Sequence, residues 1–392
     1  MDKIKKKLML TRTINFINFK IKKNNSRVKK KFNIILKENN SIIKSLGKLY
    51  KYSFEKNYIK KFKNNSNFRI IGMGGSSLGT KAIYDFLKDK ISKNFEFIDN
   101  LNPSNKKKSK KNFVNLVVSK SGNTIETIVN FNTLVKNKEK NIFITEKKNS
   151  FLYLLAQKLK ADIVHHNNFI GGRYSVLSEV GMLPAQLMGL KPNNFKSFNN
   201  LVKNKNFINN LISNVSSILY FSQQKKFNSI IINYDQKSES IFKWYQQLVA
   251  ESLGKKKKGI LPMVSVMPRD NHSVMQLYLD GFNNNFFTFF NVNEKKSLRI
   301  NNNLVLKSQS YLKNKNISQI TFNQKIATEN VFRKKNIPFR SFTIQKRDEK
   351  TLGELFTFFI LETILLGKCL NLNPYDQPAV ELIKKETKKL LV

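Results

Sequence analysis

Four glycines within eight positions constrain this chain more than any other feature of its sequence. The stretch IIGMGGSSLGTKAI spans residues 70–83, with β-favouring residues before the glycines and an apolar helical pattern after them. A strand, a tight glycine turn and a helix N-terminus together form an anion site, because free backbone N–H groups and the helix dipole both favour negative charge. The stretch therefore predicts a phosphate-binding loop between a strand and a helix.

Two common phosphate loops fit this stretch poorly. A Walker A loop needs Gly-Lys-Ser/Thr at its end, whereas Thr80 and Lys81 stand in the reverse order. A dinucleotide fingerprint needs a third glycine where Ser77 stands, although Asp99 would imitate its ribose-binding acid. The dinucleotide interpretation stays open as the weaker one, and the serine hydroxyls favour a small phosphorylated ligand.

From residue 68 onward, short apolar runs alternate with amphipathic segments. Such alternation is typical of parallel sheets covered by helices, and here it occurs twice in succession. We therefore predict an α/β fold of two doubly wound parallel-sheet domains, residues 61–200 and 201–392, the second with C-terminal helices. The lysine-rich residues 1–60 are expected to form a helical N-terminal arm packed on the body.

The composition excludes several classes of protein. A hydrophobic content of 40% fits a globular chain and not a disordered one. The single cysteine, Cys369, excludes a disulfide framework and suits a reducing cytoplasm. The apolar stretch 355–367 is too short to cross a bilayer and contains Glu362, which indicates a buried helix. We expect a cytoplasmic protein with no membrane partner.

The formal net charge of +45 allows a nucleic-acid partner, because clustered lysines release counterions from phosphate backbones. However, lysine runs such as KKNNSRVKKK, KKKSKK and KKKKG are seldom interleaved with aromatic residues, and arginine is scarce. We therefore favour a solvated lysine-rich surface and expect no nucleic acid. A positive surface would still steer an anionic substrate inward.

A second candidate phosphate loop lies in LVVSKSGNTIETI, residues 116–128. A predicted strand ends at Ser119 and a helix begins near Thr124, so that Ser119, Ser121 and Thr124 could donate hydroxyl hydrogen bonds beside a helix N-terminus. One such residue is usually an ordinary helix cap. Two polar loops after strands of one parallel sheet lie at the same edge, where ligands bind, and this favours an anion site.

Three other segments carry groups suited to acid–base chemistry. Arg173, after two glycines in GGRYSVLSEVGMLP, is a fixed cation able to stabilise an oxyanion. The alternative is that Arg173 forms an ordinary ion pair at the surface. In IFKWYQQLVAESLGK, Glu251 and Gln247 are neighbours on one helix face. Glu251 is a candidate general base, although a single glutamate is usually solvated. His272, in PRDNHSVMQLYLDG, could transfer a proton.

The histidines and the cysteine do not indicate a metal site. His165 and His166 are adjacent in a predicted strand, so their side chains point to opposite faces of the sheet. No His-x-His or His-Glu-x-x-His pattern occurs, and we expect neither a metal nor another cofactor. The final motif, NPYDQPAVELIKK, is a loop followed by a helix with Lys384.

Taken in order, these motifs resemble those of the glucose-6-phosphate isomerase (phosphoglucose isomerase) family, from about residue 68 to the C-terminus. GMGGSSLG and SKSGNTIET are similar to its two sugar-phosphate loops, and GGRYSVLSEVGMLP and DQPAVELIK to its two signatures. ESLGK and DNHSVMQ are similar to the segments with its catalytic glutamate and histidine. The resemblance implies two sugar-isomerase (SIS) domains and a glycolytic and gluconeogenic isomerase that interconverts glucose 6-phosphate and fructose 6-phosphate through a cis-enediol(ate), without metal or redox cofactor.

The resemblance also implies roles for single residues. Glu251 would move a proton between C1 and C2, Arg173 would stabilise the enediolate, and His272 and Lys384 would open the sugar ring. A homodimer is implied, with the partner subunit's His272 completing each site. The substrate and its phosphate would be bound by a set of loop and helix residues: Gly75, Ser76, Ser119, Lys120, Ser121, Thr124, Gln247 and Gln377.

The chain departs from the family pattern in three places. Ser77 stands where an acidic or aromatic residue often follows the loop serine, the N-terminal part is short, and PMVSVMPRDNHS differs from the usual run before His272. A sugar-phosphate sensor of the same fold is the main alternative to an enzyme. Such a sensor would keep the serine loops but need not keep Glu251, Arg173, His272 and Lys384 together.

Overall fold

Two five-stranded sheets organise the computed structural model, which describes residues 9–21, 24–55, 57–103, 112–136, 138–294 and 296–392. The lysine run KKKSKK and part of the N-terminal arm lie outside these residues. In chain order the strands are β1 (Ile14–Ile17), β2 (Asn67–Ile71), β3 (Asn94–Ile98), β4 (Val114–Val118), β5 (Lys140–Thr145), β6 (Asp162–His165), β7 (Asn228–Asn233), β8 (Leu261–Val266), β9 (Asn285–Val292) and β10 (Phe339–Ile344).

Helices cover both sheets. In chain order they are α1 (Ser26–Lys37), α2 (Ser41–Ser45), α3 (Leu78–Phe86), α4 (Ile125–Leu134), α5 (Phe151–Lys158), α6 (Glu179–Leu187), α7 (Phe198–Leu201), α8 (Lys205–Gln223), α9 (Glu239–Leu253), α10 (Met275–Asp280), α11 (Ile317–Lys334), α12 (Glu349–Cys369) and α13 (Val380–Leu390). The predicted class, α/β with parallel sheets covered by helices, is confirmed.

The first sheet has the strand order β3-β2-β4-β5-β6, and all of its strands are parallel. Every residue of the central strand β4 is buried, which explains its continuous apolar run. The chain passes from β2 to β3 on one side and later to β4 on the other, so the topological switch point lies between β2 and β4. Ligands of open α/β sheets bind at the carboxyl ends of the strands at such a point.

The second sheet has the order β1-β10-β9-β7-β8 and is parallel except for β1. β1 belongs to the N-terminal arm and pairs antiparallel with β10, with Ile14 opposite Ile344 and Phe16 opposite Phe342. The arm therefore contains the expected helices, α1 and α2, and also a strand that its weak pattern did not indicate. By pairing with β10, this short strand takes its place at the edge of the sheet.

The apolar stretch 355–367 lies within α12 and is buried, as predicted. Its acidic residue, Glu362, is fully buried and forms an ion pair with Arg340 of β10. The hydroxyl of Tyr245 in α9 also donates to Glu362, at 2.7 Å. The described part of the chain contains no helix that is both long and apolar enough to cross a membrane.

α9 connects the second sheet to the first. It follows β7 of the second sheet, yet it packs against α3, the helix after the glycine loop of the first sheet. Its apolar residues recur every three to four positions, and Trp244, Leu248 and Leu253 are buried. Gln247 and Glu251 lie beside this apolar stripe. Both are half-buried and lie at the carboxyl edge of the first sheet. The domain boundaries after residues 60 and 200 stay predictions.

Candidate active site

The glycine loop after β2 adopts a shape that side chains would obstruct. Gly74 has a φ of +53°, and a Cβ there would lie 2.7 Å from Nε2 of Gln247. A Cβ on Gly72 would lie 2.9 Å from the Val118 carbonyl oxygen at the end of β4. The glycines therefore let this loop touch α9 on one side and the neighbouring strand on the other. Ser76, in the 3₁₀ turn Gly74–Ser76, is half-buried at the start of α3.

Gly75 brings the loop against the segment that carries Arg173. A Cβ on Gly75 would lie 2.2 Å from the carbonyl carbon of Gly172 and 2.4 Å from the nitrogen of Arg173. Such distances are far shorter than real Cβ contacts, so two backbones meet here with no room for a side chain. Gly75 in the glycine loop and Gly172, next to Arg173, are thus two sides of one contact.

We expect Gly75→Ala to displace the Arg173 segment, lowering kcat and the free energy of unfolding, the latter by about 1–3 kcal/mol as for other overpacked sites. Gly171→Ala is the matched control, because its nearest neighbour would be Tyr174 Cδ2 at an ordinary 3.9 Å. Urea unfolding and steady-state kinetics of both variants test this. Equal behaviour of the two variants would contradict the tight contact.

The second loop, residues 119–124, is closed by its own side chains. The hydroxyls of Ser119 and Thr124 lie 2.8 Å apart, and Ser119 Oγ accepts from the Gly122 nitrogen at 3.2 Å. Gly122 has a φ of +70° and Ser121 is exposed, with its hydroxyl accepting from the Asn123 nitrogen at 3.3 Å. The loop follows β4, so it stands beside the glycine loop at the switch point of the first sheet.

Lys120 lies at this loop with its ammonium 3.7 Å from Glu146. Burial lowers the pKa of Lys120, and the Glu146 carboxylate opposes that shift. Lys148 pairs with the other oxygen of Glu146. The second loop therefore carries a partly exposed cation, Lys120, whose position is fixed by its ion pair with Glu146.

Arg173 is almost fully buried and all five of its N–H groups have acceptors. Nε donates to Ser252 Oγ at 2.8 Å, and Nη1 donates to Glu251 at 3.2 Å and to the Gln377 side-chain oxygen. Nη2 donates to two carbonyl oxygens, of Pro374 at 2.8 Å and of Asp376 at 3.0 Å. Three of these acceptors come from residues 373–377, which we call the strap.

Gln247 and Glu251 make the contact expected from their four-residue spacing. Gln247 Nε2 donates to Glu251 Oε1 at 2.8 Å, while Glu251 Oε2 accepts from Arg173. Each carboxylate oxygen thus accepts one hydrogen bond, which fixes the orientation of the carboxylate. The side chain of Glu251 keeps 29% of its exposed area, so the carboxylate is open to a small molecule.

Two predicted site residues lie apart from this group. Lys384, in α13, is exposed and pairs with Glu381 at 2.7 Å. His272 is exposed in the connection between β8 and α10, and its backbone nitrogen donates to the Arg269 carbonyl oxygen. Within the described residues of this single chain, neither side chain hydrogen-bonds to Glu251 or Arg173.

Sequence reasoning missed several residues that hold the site together. Ser252 accepts from Arg173 and lies 2.8 Å from the hydroxyl of Tyr174, which itself donates to the Pro374 carbonyl oxygen at 2.9 Å. Burial raises the pKa of Tyr174, which keeps the phenol protonated as a donor. Tyr174 follows Arg173 in the sequence and Ser252 follows Glu251. This adjacency was the one sequence feature that could have indicated their roles.

The arrangement of these side chains is suited to proton transfer on a small anionic molecule. A half-exposed carboxylate, a buried guanidinium and two polar loops share one edge of a parallel sheet. Among the described residues, no group of three or more histidine, cysteine, aspartate or glutamate side chains could hold a metal ion. The carboxylate and the guanidinium are groups suited to acid–base catalysis with electrostatic stabilisation of an oxyanion.

Several known proteins are similar to this chain in sequence or in fold. Residues 49–266 match the family model described as phosphoglucose isomerase. The glucose-6-phosphate isomerase of Methanocaldococcus jannaschii is 32% identical over 345 residues, which cover 83% of this chain and 84% of that protein. The corresponding enzyme of Mycoplasmopsis pulmonis is 32% identical over 377 residues, covering 86% of this chain and 88% of the relative.

A solved structure of the same fold is the glucose-6-phosphate isomerase of Chlamydia trachomatis. It superposes with a TM-score of 0.69 at 19% identity, over 93% of this chain and 74% of that chain. At this identity the likeness is evidence of the fold alone.

Proposed function

The chain belongs to the phosphoglucose isomerase family, and on this premise we propose that it interconverts glucose 6-phosphate and fructose 6-phosphate, with Glu251 as the base. The observation that carries the proposal is the contact of Glu251 with Arg173, 3.2 Å apart at the sheet edge where both polar loops lie. The reaction would place the chain in glycolysis and gluconeogenesis.

In the forward direction, the Glu251 carboxylate takes the proton from C2 of the open-chain aldose. The electron pair left at C2 forms the C1–C2 double bond, and the carbonyl oxygen at C1 becomes negatively charged. Arg173, the buried cation beside the base, stabilises this enediolate. Glu251 then returns the proton to C1 while the O2 proton moves to O1, and the ketose results. Gln247, bonded to Glu251, orients the carboxylate.

Arg173 must exchange one partner to take part. Each of its N–H groups already has an acceptor, and Nη1 serves both Glu251 and Gln377. We infer that a substrate oxygen replaces the amide oxygen of Gln377 on Nη1, next to the base. Gln377 then turns its amide to the substrate, which agrees with the positioning role that the motif implies.

The phosphate is held by the two loops of the first sheet. Gly75 and Ser76 in the first loop, with Ser119, Lys120, Ser121 and Thr124 in the second, offer hydroxyl, ammonium and backbone donors at helix N-termini. Support comes from their common position at the carboxyl edge, where Gly72 meets Val118. No step requires a metal or redox cofactor.

Ring opening by His272 and Lys384 rests on the sequence motifs. Both residues lie on exposed elements, so the proposal includes a homodimer in which the partner subunit's His272 completes each site. A cytoplasmic location and the absence of a nucleic-acid partner stay predictions as well.

Ser119→Ala and Thr124→Ala are expected to raise KM several-fold and to leave kcat nearly unchanged. Their hydroxyls would bind the phosphate, which is remote from C1 and C2 and is held about equally in ground and transition states. Steady-state kinetics with fructose 6-phosphate check this. A large loss of kcat at constant KM in both variants would exclude phosphate binding as their role.

The proposed function is tested by incubating the purified chain with fructose 6-phosphate and measuring glucose 6-phosphate with a coupled dehydrogenase. Formation of glucose 6-phosphate supports the proposal. Binding of fructose 6-phosphate by calorimetry without any turnover would instead establish the sensor alternative, since a sensor keeps the phosphate loops but has no use for a base.

A further inference from the structure

On the side away from Arg173, the strap is held by hydrogen bonds to a residue that has no role in the proposed reaction. The ammonium of Lys255 donates to Asp376 Oδ1 at 2.6 Å and to the carbonyl oxygen of Asn373. Asn373 in turn donates its side-chain amide to Asp376 Oδ2 at 2.9 Å. Lys255 is thus bonded at both ends of the segment whose inner side binds Arg173.

The lysine is better shielded than its partner. The side chain of Lys255 is 12% exposed and that of Asp376 is 53% exposed. The hydrogen bond from Lys255 holds the pKa of the Asp376 carboxyl below its usual value. An ion pair with one shielded member and a second acceptor on the same ammonium holds its geometry better than an isolated surface pair does.

The backbone of Lys255 is held as firmly as its side chain. Lys255 is the second residue after α9, four residues after Glu251, and exchanges backbone hydrogen bonds with Lys258, at 3.1 and 2.9 Å. The two residues between them, Lys256 and Lys257, have φ values of +52° and +57°. This left-handed conformation costs a side-chain-bearing residue roughly 1–2 kcal/mol, and such strain persists only where the surroundings determine it.

A second fastening joins the strap to the N-terminal arm. The hydroxyl of Tyr375 donates to Glu38 Oε2 at 3.2 Å, and Lys368 pairs with the other oxygen of Glu38 at 2.6 Å. Burial and the Glu38 carboxylate raise the pKa of Tyr375, so that the phenol stays a donor. Tyr375 is therefore anchored independently of Lys255, and loss of Lys255 would free Asp376 and Gln377 first.

We propose that Lys255 is a positioning residue for the isomerisation: it clasps the strap so that the Pro374 and Asp376 carbonyl oxygens hold Arg173 at the required distance from Glu251 and Gln377 stays within reach of the substrate. This inference rests on the proposed function. When the clasp opens, the Asp376 carbonyl leaves Arg173 and Gln377 moves away from the substrate. The buried guanidinium then turns towards its anionic partner, Glu251. Glu251 then forms a closer ion pair with Arg173 and is less able to accept the substrate proton. Arg173 is also no longer placed to stabilise the enediolate.

The test compares Lys255→Met with Lys257→Met. Lys257 lies in the same turn, is exposed and forms no hydrogen bond or ion pair within the described residues, so the second variant removes the same charge without touching the strap. Because small displacements of catalytic groups can cost up to about 100-fold, we expect kcat of Lys255→Met to fall about tenfold while KM changes less than about twofold. Lys255→Arg, which keeps a cationic donor, should restore most of the rate.

Two further measurements separate positioning from a general structural role. Asp376→Asn should lower kcat by less than Lys255→Met does, because Lys255 keeps its hydrogen bond to the Asn373 carbonyl oxygen. The double variant should lose less than the sum of the two single losses, since the two residues share one contact. Amide hydrogen exchange of residues 373–377 should be faster in Lys255→Met than in Lys257→Met or the unmodified chain, with exchange in the first sheet unchanged.

Each outcome is decisive. If the unmodified chain isomerises fructose 6-phosphate and Lys255→Met matches Lys257→Met in kcat, the clasp is wrong and the proposed function stands. If the unmodified chain shows no turnover, the proposed function fails, and unchanged exchange of the strap in Lys255→Met would overturn the clasp separately. Additive losses in the double variant would also overturn it.

Discussion

Replacing Glu251 by glutamine is expected to lower kcat by about 10²–10⁴-fold while the sugar phosphate still binds. General-base catalysis typically supplies a factor of this size, and the amide has the size of the carboxylate but cannot accept the C2 proton. The amide oxygen can still accept from Arg173, and the amide nitrogen can donate to Gln247 Oε1 once Gln247 turns its own amide. The measurement is steady-state kinetics together with calorimetric binding of fructose 6-phosphate.

Glu239→Gln is the matched control. Glu239 is the first residue of the same helix, α9, and the substitution removes the same charge twelve positions away from Glu251. Its loss would weaken the interaction with the helix dipole by about 0.3–1 kcal/mol without affecting the site. Full activity of Glu251→Gln would falsify the role of base and would move the sensor interpretation to first place.

Glu179 is a poor control for this experiment, although it stands in the motif with Arg173. It is buried at the start of α6, and the hydroxyl of Tyr50 donates to its two oxygens at 3.0 and 3.1 Å. Burial raises the pKa of Glu179. Its replacement would disturb the packing of the N-terminal arm and would confuse a structural effect with a catalytic one.

Local patterns predicted most of the first sheet and the place of the site. β2 and β4 were predicted because each is a short apolar run followed at once by a polar loop, and the parallel arrangement follows from the helices between them. The four-residue spacing of Gln247 and Glu251 predicted their contact, since neighbours on a helix surface are set by local geometry alone.

The contacts of Arg173 could not be predicted in the same way. Its partners Pro374, Asp376 and Gln377 lie about two hundred positions along the chain, and a carbonyl oxygen leaves no residue-type signal. The strand β1 was missed for a related reason. Four residues with two buried side chains make a pattern too short to identify, and only the open edge of β10 gives them a place.

The buried ion pair Arg340–Glu362 is the other feature whose removal should have a large effect. Both side chains are fully buried, and Arg340 also donates to Thr288 at 2.9 Å and to Asn214 at 2.9 Å. The pair joins β10 to α12, and Tyr245 links it to α9, the helix with Glu251. Within the described residues, this pair lies at the junction of the second sheet with the helices that carry the site.

We expect Arg340→Met to lower the free energy of unfolding by about 3–5 kcal/mol, because it leaves the Glu362 carboxylate buried without its cation. The double variant Arg340→Met/Glu362→Leu should recover much of this loss, since replacing both charges by apolar groups removes the cost of desolvation. Urea unfolding of the two variants measures both effects. Arg269→Met is the surface control: the Arg269 side chain is 74% exposed in its ion pair with Asp270, and the unfolding free energy should change much less. A double variant as unstable as the single one would show that packing and hydrogen bonds to Arg340 stabilise this junction, and not the balance of the two charges.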